Sequence, residues 1–370
     1  MTYALAAAGT GGHVYPALAV ADALVAGGVP ATDVVFFGGD RMEARAVPAA
    51  GYDFVPVEMR GLRRSLSPRN LSLPLVVRRA RQAITEHLRD RHVTVMTVFG
   101  GYIAVPAAGA ARRVKARLFV QEQNAVPGLA NRLVARRASA AFVGFPEAAA
   151  KLPRARYTGN PLRAAFAGFD RDALAAEARR RYGLPAGRPV LGVLGGSLGA
   201  RLLNEVTIRL ADTLDADRTA IVHLTGRTHL DAVKARAERT PTAWAVRPFE
   251  EEMTWFYAAA DLVLSRAGAL TISELAATGT PAVVVPYALG TAGHQAANAA
   301  ALEQAGGIVV MEESDIDRVP AAIEQLLADP AQLRVMAEAA RAQGRPDAAS
   351  VIAAALRAAA EGAAGGDGDG

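Results

Sequence analysis

One unit of pattern occurs twice in this chain: an apolar run, a glycine-rich turn, then a helical stretch. The first copy is Tyr3–Ala8 followed by GTGGHVYPALAVADAL (9–24), and the second is LGVLGGSLGARLLNEV (191–206). Each copy opens a series of short apolar runs alternating with longer amphipathic stretches. The first series is Tyr3–Ala8, Val34–Phe37, Phe54–Val57, Val93–Val98, Leu118–Val120 and Ala140–Val143. The rhythm pauses around YTGNPLRAAF (157–166) and restarts at RPVLGVLGG (188–196). Runs at Ala220–Leu224, Ala243–Val246, Leu262–Leu264, Ala282–Val285 and Ile308–Val310 follow. Uninterrupted apolar strands separated by helices belong to a parallel sheet covered on both faces. The expected fold is therefore α/β, with two doubly wound Rossmann-like domains facing a central cleft. A length of 370 residues also favours two cores over one. The boundary is expected near Gly159–Pro161, giving domains 1–160 and 161–346. A last helix, 347–360, is expected to pack back on the first domain. The Gly/Asp-rich residues 361–370 have nothing to bury and are expected to be a disordered tail.

Composition removes several chemistries. There is no cysteine, which excludes disulfides, thiolate iron–sulfur clusters and a thiol nucleophile and fits a reducing compartment. The opening MTYALAAAGTGG has no basic start and enters a strand directly, so no signal peptide is expected. No apolar run reaches the roughly 18–20 residues a membrane span needs. The net charge of +5 is unevenly spread: residues 1–160 hold 21 Lys+Arg against 10 Asp+Glu, the remainder 20 against 26. The first half is suited to an anionic partner.

In the first copy, Pro16 suits a first helical turn, and Val14, Leu18, Ala21 and Val25 share one helical face. The glycines thus end a strand and open a helix. Free amides at that point favour an anion. The spacing is neither G-x-G-x-x-G nor a Walker loop, so a plain tight turn with a helix-opening His13 stays open. The second copy carries Ser197 between Gly195, Gly196 and Gly199, with the same two readings. The most informative stretch is SRAGALTISELAATGTP (265–281). There Gly268 is the turn, and the amides of Ala269, Leu270 and Thr271 open a helix. A diphosphate placed on them gains from the helix dipole, and Glu274 lies one turn further in, at the depth of ribose hydroxyls. The competing reading is a capping box, Thr271-x-x-Glu274.

Taken together and in this order, GTGGHVYPALAVADAL, FGGY (99–102), EQNAVPGLANRL (122–133), GNPLR (159–163), GGSLGAR (195–201), HLTG (223–226), SRAGALTISELAA (265–277) and HQAANA (294–299) resemble glycosyltransferase family 28 across nearly the whole chain. The resemblance implies the GT-B arrangement of two Rossmann domains. It also implies inverting transfer of N-acetylglucosamine from UDP-GlcNAc to the C4 hydroxyl of the MurNAc residue of lipid I (undecaprenyl-pyrophosphoryl-MurNAc-pentapeptide), forming lipid II. Carried over residue by residue, the sugar donor would meet Thr10, Gly11 and Gly12 in the first loop and Ser197 in the second. Ala269, Leu270 and Thr271 would take the phosphates and Glu274 the ribose. Phe249 and Met253 would wall the uracil while the backbone of Glu250 reads its edge. Arg163 would approach the base, Gln295 the sugar hydroxyls, and Asn124 would join the two substrates' sites. The acceptor would meet His13, Tyr102 and Asn124. His13 is the first candidate general base, with a helix N-terminus keeping it neutral, and Glu122 the second. The competing roles are an acceptor-diphosphate or capping contact for His13, a loop-ordering carboxylate for Glu122, and core packing for Tyr102. Three departures from the family pattern stand out: Leu198 where glutamine is usual, Gln121 opening the usual HEQN, and ALGTAG (288–293) without the usual acidic pair. No metal and no cofactor is expected.

The segment RGLRRSLSPRNLSLPLVVRRARQAITEHLRDRH (60–92) mixes Leu62, Leu66, Leu71, Leu73, Leu75, Val76 and Val77 with nine arginines. With ARRVKAR (111–117), it reads as an apolar wedge ringed by cations, fit for an anionic membrane surface. The bland reading is an amphipathic helix with a solvated arginine face. Nucleic acid fits worse, since aromatics are not interleaved. The expected location is peripheral, on the cytoplasmic face of the cell membrane. Rival readings are a glycolipid glycosyltransferase, a UDP-GlcNAc 2-epimerase, a NAD-dependent oxidoreductase, which lacks its glycine spacing here, and a non-catalytic UDP-sugar binder.

Overall fold

The computed structural model describes residues 1–58, 73–196, 199–288 and 293–364. Ser197, Leu198, most of ALGTAG, the first part of the arginine-rich segment with Leu62, Leu66 and Leu71, and residues 365–370 lie outside them. The chain divides into two compact units, Met1–Ala164 with Pro346 onward, and Ala165–Arg345.

The first unit is built on a parallel sheet of β1 (Thr2–Ala6), β2 (Val34–Gly38), β3 (Asp53–Pro56), β4 (Val93–Val98), β5 (Arg117–Glu122), β6 (Ala140–Val143) and β7 (Ala155–Tyr157). Their spatial order is β3-β2-β1-β4-β5-β6-β7. β7 was not expected, because its three residues Ala-Arg-Tyr carry no apolar run. The second unit is built on β8 (Val190–Leu194), β9 (Ala220–Leu224), β10 (Ala243–Arg247), β11 (Leu262–Ser265), β12 (Ala282–Val284) and β13 (Ile308–Val310). Its order, β10-β9-β8-β11-β12-β13, repeats that of the first unit. Both are doubly wound α/β sheets. Strand order reverses between β1 and β4 in one and between β8 and β11 in the other, and ligands collect at such reversals, beyond the strands' carboxyl ends. The glycine-rich segments after β1, β4, β8 and β11 are the four turns at these two points.

The strands are apolar because both faces are covered. β1 packs Tyr3 and Leu5 to one core and Ala4 and Ala6 to the other. The helix Gly11–Ala26 buries Val14, Ala17, Leu18, Val20, Ala21 and Leu24. Val25, expected on that buried face, is exposed instead. Pro16 is not in the first turn: the helix opens five residues earlier, at Gly11, so the proline sits inside it. Having no N–H, Pro16 leaves the carbonyl of Gly12 without its intrahelical donor.

The carboxy-terminal helix Ala348–Ala364 runs past the expected end at 360, so 361–364 are helix rather than tail. Its run of alanines has the highest intrinsic helix preference. Ile352, Leu356, Ala359 and Ala360 enter the core formed by Leu5, Val14, Leu18 and Phe36 of the first unit. Full burial of side chains like Ile352 and Leu356 contributes about 1.5–3 kcal/mol each.

The helix Leu73–Asp90 buries Ala80, Ile84 and Leu88 at four-residue spacing, with Arg78 and Arg79 exposed. Over that length the arginine-rich segment is an ordinary amphipathic helix. Only its opening turn presents apolar surface, at Leu75.

Candidate active site

In the first unit the turn after β1 leads into the helix at Gly11, with Thr10 at its N-cap making no side-chain capping bond. The amides of Gly11 and Gly12 belong to the first turn, where no intrahelical carbonyl is available. His13 is the third helical residue. Its imidazole lies against the turn after β4: a Cβ on Gly100 would fall 3.0 Å from His13 Cδ2 and Nε2. Gly100 has a φ of +97°, so both the approach and the backbone conformation call for glycine there. The Nδ1 of His13 is buried and faces the Ala8 carbonyl without reaching hydrogen-bond geometry. Burial lowers the imidazole pKa below its usual value, against the opposing charges of Glu122 and Glu43. The imidazole is therefore neutral near pH 7, as the sequence suggests, but desolvation is the leading cause rather than the helix dipole.

Glu122 ends β5 and is 2% exposed. Oε1 accepts from the amide of Asn124 at 2.9 Å and from its Nδ2 at 3.2 Å; Oε2 accepts from the Gly128 amide at 3.0 Å and Asn131 Nδ2 at 2.8 Å. Four donors spread over residues 124–131 fold that loop around one carboxylate. This geometry is that of a loop-ordering group, and it holds Asn124 in place. Gln121, the departure from HEQN, is fully buried and donates to Asn160 Oδ1 at 3.2 Å, while Asn160 donates to the Gln123 carbonyl at 2.9 Å. The substitution is absorbed in an amide network. Tyr102 is half-buried against the core, with its hydroxyl directed to the Glu43 carboxylate. Arg163 lies over the Tyr15 ring, 4.6 Å from its centroid, within the first unit.

In the second unit, β11 ends at Ser265 and the helix Ala269–Thr278 opens after Gly268, its N-cap. Ala269, Leu270 and Thr271 form its first turn and are half-buried residues. The capping box is not formed, because the helix starts two residues before Thr271 and no side chain caps it. Glu274 instead accepts a 2.8 Å bond from Tyr257 Oη, whose ring is fully buried beneath it. Phe249 and Met253 are half-buried on either side of Glu250. The buried Glu250 carboxylate accepts from Tyr182 Oη at 2.7 Å and from the Glu252 amide at 3.1 Å, which fixes the backbone of that loop. Gln295 opens the helix His294–Gln304 and accepts from the Tyr287 amide at 2.9 Å.

Three residues assigned no role from sequence shape these turns. Arg266 pairs with Glu313 at 2.6 Å, donates to the Val285 carbonyl at 3.1 Å and lies over Tyr287. It braces the chain just beyond β12. Asn204 donates to the Thr225 carbonyl at 3.1 Å and meets His223 Nε2 at 2.9 Å. His223 is stacked on Trp244, and burial lowers its pKa to about 3. Arg266 stands in a quoted motif and His223 opens HLTG, so both were visible; their partners, 19 to 47 positions away, were not.

Two doubly wound units with glycine turns at matching reversals of strand order are the GT-B architecture. The description "Glycosyltransferase family 28 N-terminal domain" matches residues 3–143 and "Glycosyltransferase family 28 C-terminal domain" residues 190–352. The chain belongs to glycosyltransferase family 28. It is 41% identical over 355 residues to the UDP-N-acetylglucosamine–N-acetylmuramyl-(pentapeptide) pyrophosphoryl-undecaprenol N-acetylglucosamine transferase of Acidithiobacillus ferrooxidans, covering 95% of this chain and 96% of that one. Its identity to the protein of the same name from Clavibacter sepedonicus is 42%, over 95% and 94% of the two chains. The crystal structure of Acinetobacter baumannii MurG matches with a TM-score of 0.76 at 28% identity, over 96% of this chain and 99% of that one. A UDP-N-acetylglucosamine 2-epimerase, at 15% identity and a TM-score of 0.66 over 95% and 94% of the chains, shares the fold.

Proposed function

We propose that this chain transfers N-acetylglucosamine from UDP-GlcNAc to the C4 hydroxyl of the MurNAc residue of lipid I, with inversion, to form lipid II. The observation that carries the reading is the identity of 41–42% over 95% of the chain to transferases bearing that name. Geometry supports it in each unit. In the second unit the amides of Ala269, Leu270 and Thr271 take the diphosphate, where aligned backbone dipoles stabilise charge developing on the leaving UDP. Glu274, held by Tyr257, accepts from the ribose hydroxyls. The Glu250 loop reads the uracil between Phe249 and Met253, and Gln295 meets the sugar.

In the first unit His13 takes the proton of the attacking hydroxyl. A neutral imidazole with a lowered pKa keeps its lone pair free through the physiological range. Glu122, with its oxygens already engaged, orders the Asn124 loop. Thr10, Gly11 and Gly12 present amides toward phosphate.

The first unit also supports docking to an anionic bilayer at the cytoplasmic face. The helices Leu73–Asp90, Ala104–Arg113 and Leu129–Ala135 pack in succession, and each begins at the carboxyl edge of the parallel sheet. Leu75, Val105, Leu129 and Leu133 are exposed there, with the exposed Arg78, Arg79 and Arg132 close to them on the same helices. No helix among the described residues is long and apolar enough to cross a membrane. An apolar rim set among cations suits a peripheral protein whose acceptor carries a lipid tail.

The test is UDP release from labelled UDP-GlcNAc with and without a lipid I analogue. Release that depends on the acceptor, with a disaccharide product, is expected. Release indifferent to acceptor sinks the reading, and conversion of UDP-GlcNAc to its 2-epimer replaces it.

A further inference from the structure

Glu43 takes no part in the reading above, yet it is 0% exposed, at the start of the short helix after β2. No lysine or arginine pairs with it among the described residues. A carboxylate buried without a counter-ion is costly unless hydrogen-bond donors replace water. Here they do. The Gly9 amide lies 3.3 Å from both carboxylate oxygens, and the Gly39 amide reaches Oε1 at 3.0 Å. The Tyr102 hydroxyl is directed to the same carboxylate. The approach is tight: a Cβ on Gly39 would fall 2.1 Å from Tyr102 Oη and 3.1 Å from Glu43 Oε1. Gly9, Gly39 and Tyr102 belong to the turns after β1, β2 and β4, three strands adjacent in the sheet. One buried carboxylate therefore ties together three turns, two of which, after β1 and β4, lie against His13.

We propose that Glu43 is a positioning residue for proton transfer, fixing the Gly9 turn from which the His13 helix opens and orienting the Tyr102 hydroxyl. The proposal rests on His13 being the base of the reaction read above. Glu43 itself carries no proton to substrate. Its charge has a second effect. The carboxylates facing His13 are Glu122 and Glu43, and Asp40 and Arg41 stand beside Tyr102. A negative charge near an imidazole favours its protonated form. Removing that of Glu43 makes His13 a weaker base with a lower pKa.

The experiment compares wild type with Glu43→Gln and Glu43→Asp. It measures kcat and KM for UDP-GlcNAc over roughly pH 5 to 9. It also follows His13 directly by NMR of histidine-labelled protein, assigned with His13→Gln. For Glu43→Gln the His13 midpoint falls, and the acid limb of kcat moves down with it. Plateau kcat drops about tenfold or more while KM for UDP-GlcNAc holds, as expected for a displaced base. Glu43→Asp keeps the charge on a shorter stem, so kcat falls with the His13 midpoint in its wild-type place. Wild-type kcat and an unmoved midpoint in Glu43→Gln overturn the proposal. So does a loss of folded protein alone, with kcat per folded molecule unchanged. Should Glu43→Gln fail to fold, unchanged kcat in Glu43→Asp overturns it. The NMR readout needs no turnover. A chain inactive toward lipid I whose His13 midpoint still moves supports the positioning role and overturns the reaction instead.

Discussion

At the scale of the residue, two histidines are kept neutral by the same cause and put to different uses. His13 opens a helix beside a turn that glycine alone permits. His13→Ala is expected to lower kcat by about 10²–10⁴-fold, the range for losing a general base, while UDP binding measured by calorimetry stays within a factor of two or so. Since burial depresses the His13 pKa, the neutral form persists below pH 6.5, the ordinary histidine value. Activity in the wild type should therefore hold as pH falls through that value and decline only below it. A decline centred above pH 6.5 would assign the limb to another group. His223 bears on stability instead. Folded, it titrates at about 3 against 6.5 when unfolded. Between those values the unfolded chain binds the extra proton, so stability is full above 6.5 and is lost as pH falls toward 3. The slope is roughly 1.4 kcal/mol per pH unit. Urea unfolding of His223→Gln across pH 4 to 7 should lack that slope, roughly the acid sensitivity one buried imidazole supplies.

At the scale of the element, the turns after the strands do the work and the strands hold them. Glu122 gathers residues 124–131 around its two oxygens. If it orders that loop and does not take the proton, Glu122→Gln keeps more than about a tenth of kcat, whereas removal of the base costs far more. A loss as deep as that of His13→Ala would return Glu122 to the candidate bases. The carboxy-terminal helix is the other element with a measurable role. Leu356→Ala empties a site inside the first unit's core and should cost about 2–5 kcal/mol. Hydrogen exchange should rise in residues 1–164 and not in 165–345. Most elements were legible because an apolar run bounded by glycine has few alternatives in an α/β chain. β4, β6, β9 and β13 lie where the runs put them. β7 was not legible, since Ala155–Tyr157 owes its strand to pairing with β6 rather than to its own composition. Pro16 misled because proline marks a first turn on average, while here the glycines before it already carry the helix. The Thr271–Glu274 spacing fitted a cap equally well; only the start of the helix at Ala269 and the phenol of Tyr257 decide against it.

At the scale of the whole molecule, the charge asymmetry of the sequence matches the division of labour proposed above. The basic first half carries the exposed apolar helix openings, and the acidic second half carries the loops assigned to the nucleotide. Leu129→Ser with Leu133→Ser should reduce sedimentation with anionic vesicles several-fold and leave turnover of a short-chain soluble acceptor unchanged. Raising salt should weaken wild-type binding further, since each basic residue near such a surface contributes about 1 kcal/mol that salt screens. Glu43 shows what a sequence withholds at this scale: a buried acid in an unremarked stretch, DRMEARAV, matters through partners 34 positions before it and in the turn after β4. The most direct test of the whole account is amide hydrogen exchange with and without UDP. Slowed exchange at Ala269, Leu270 and Thr271, extending to the Glu250 loop, is the predicted result. Protection confined to residues 1–164, with the opening of the Ala269–Thr278 helix untouched, would contradict it.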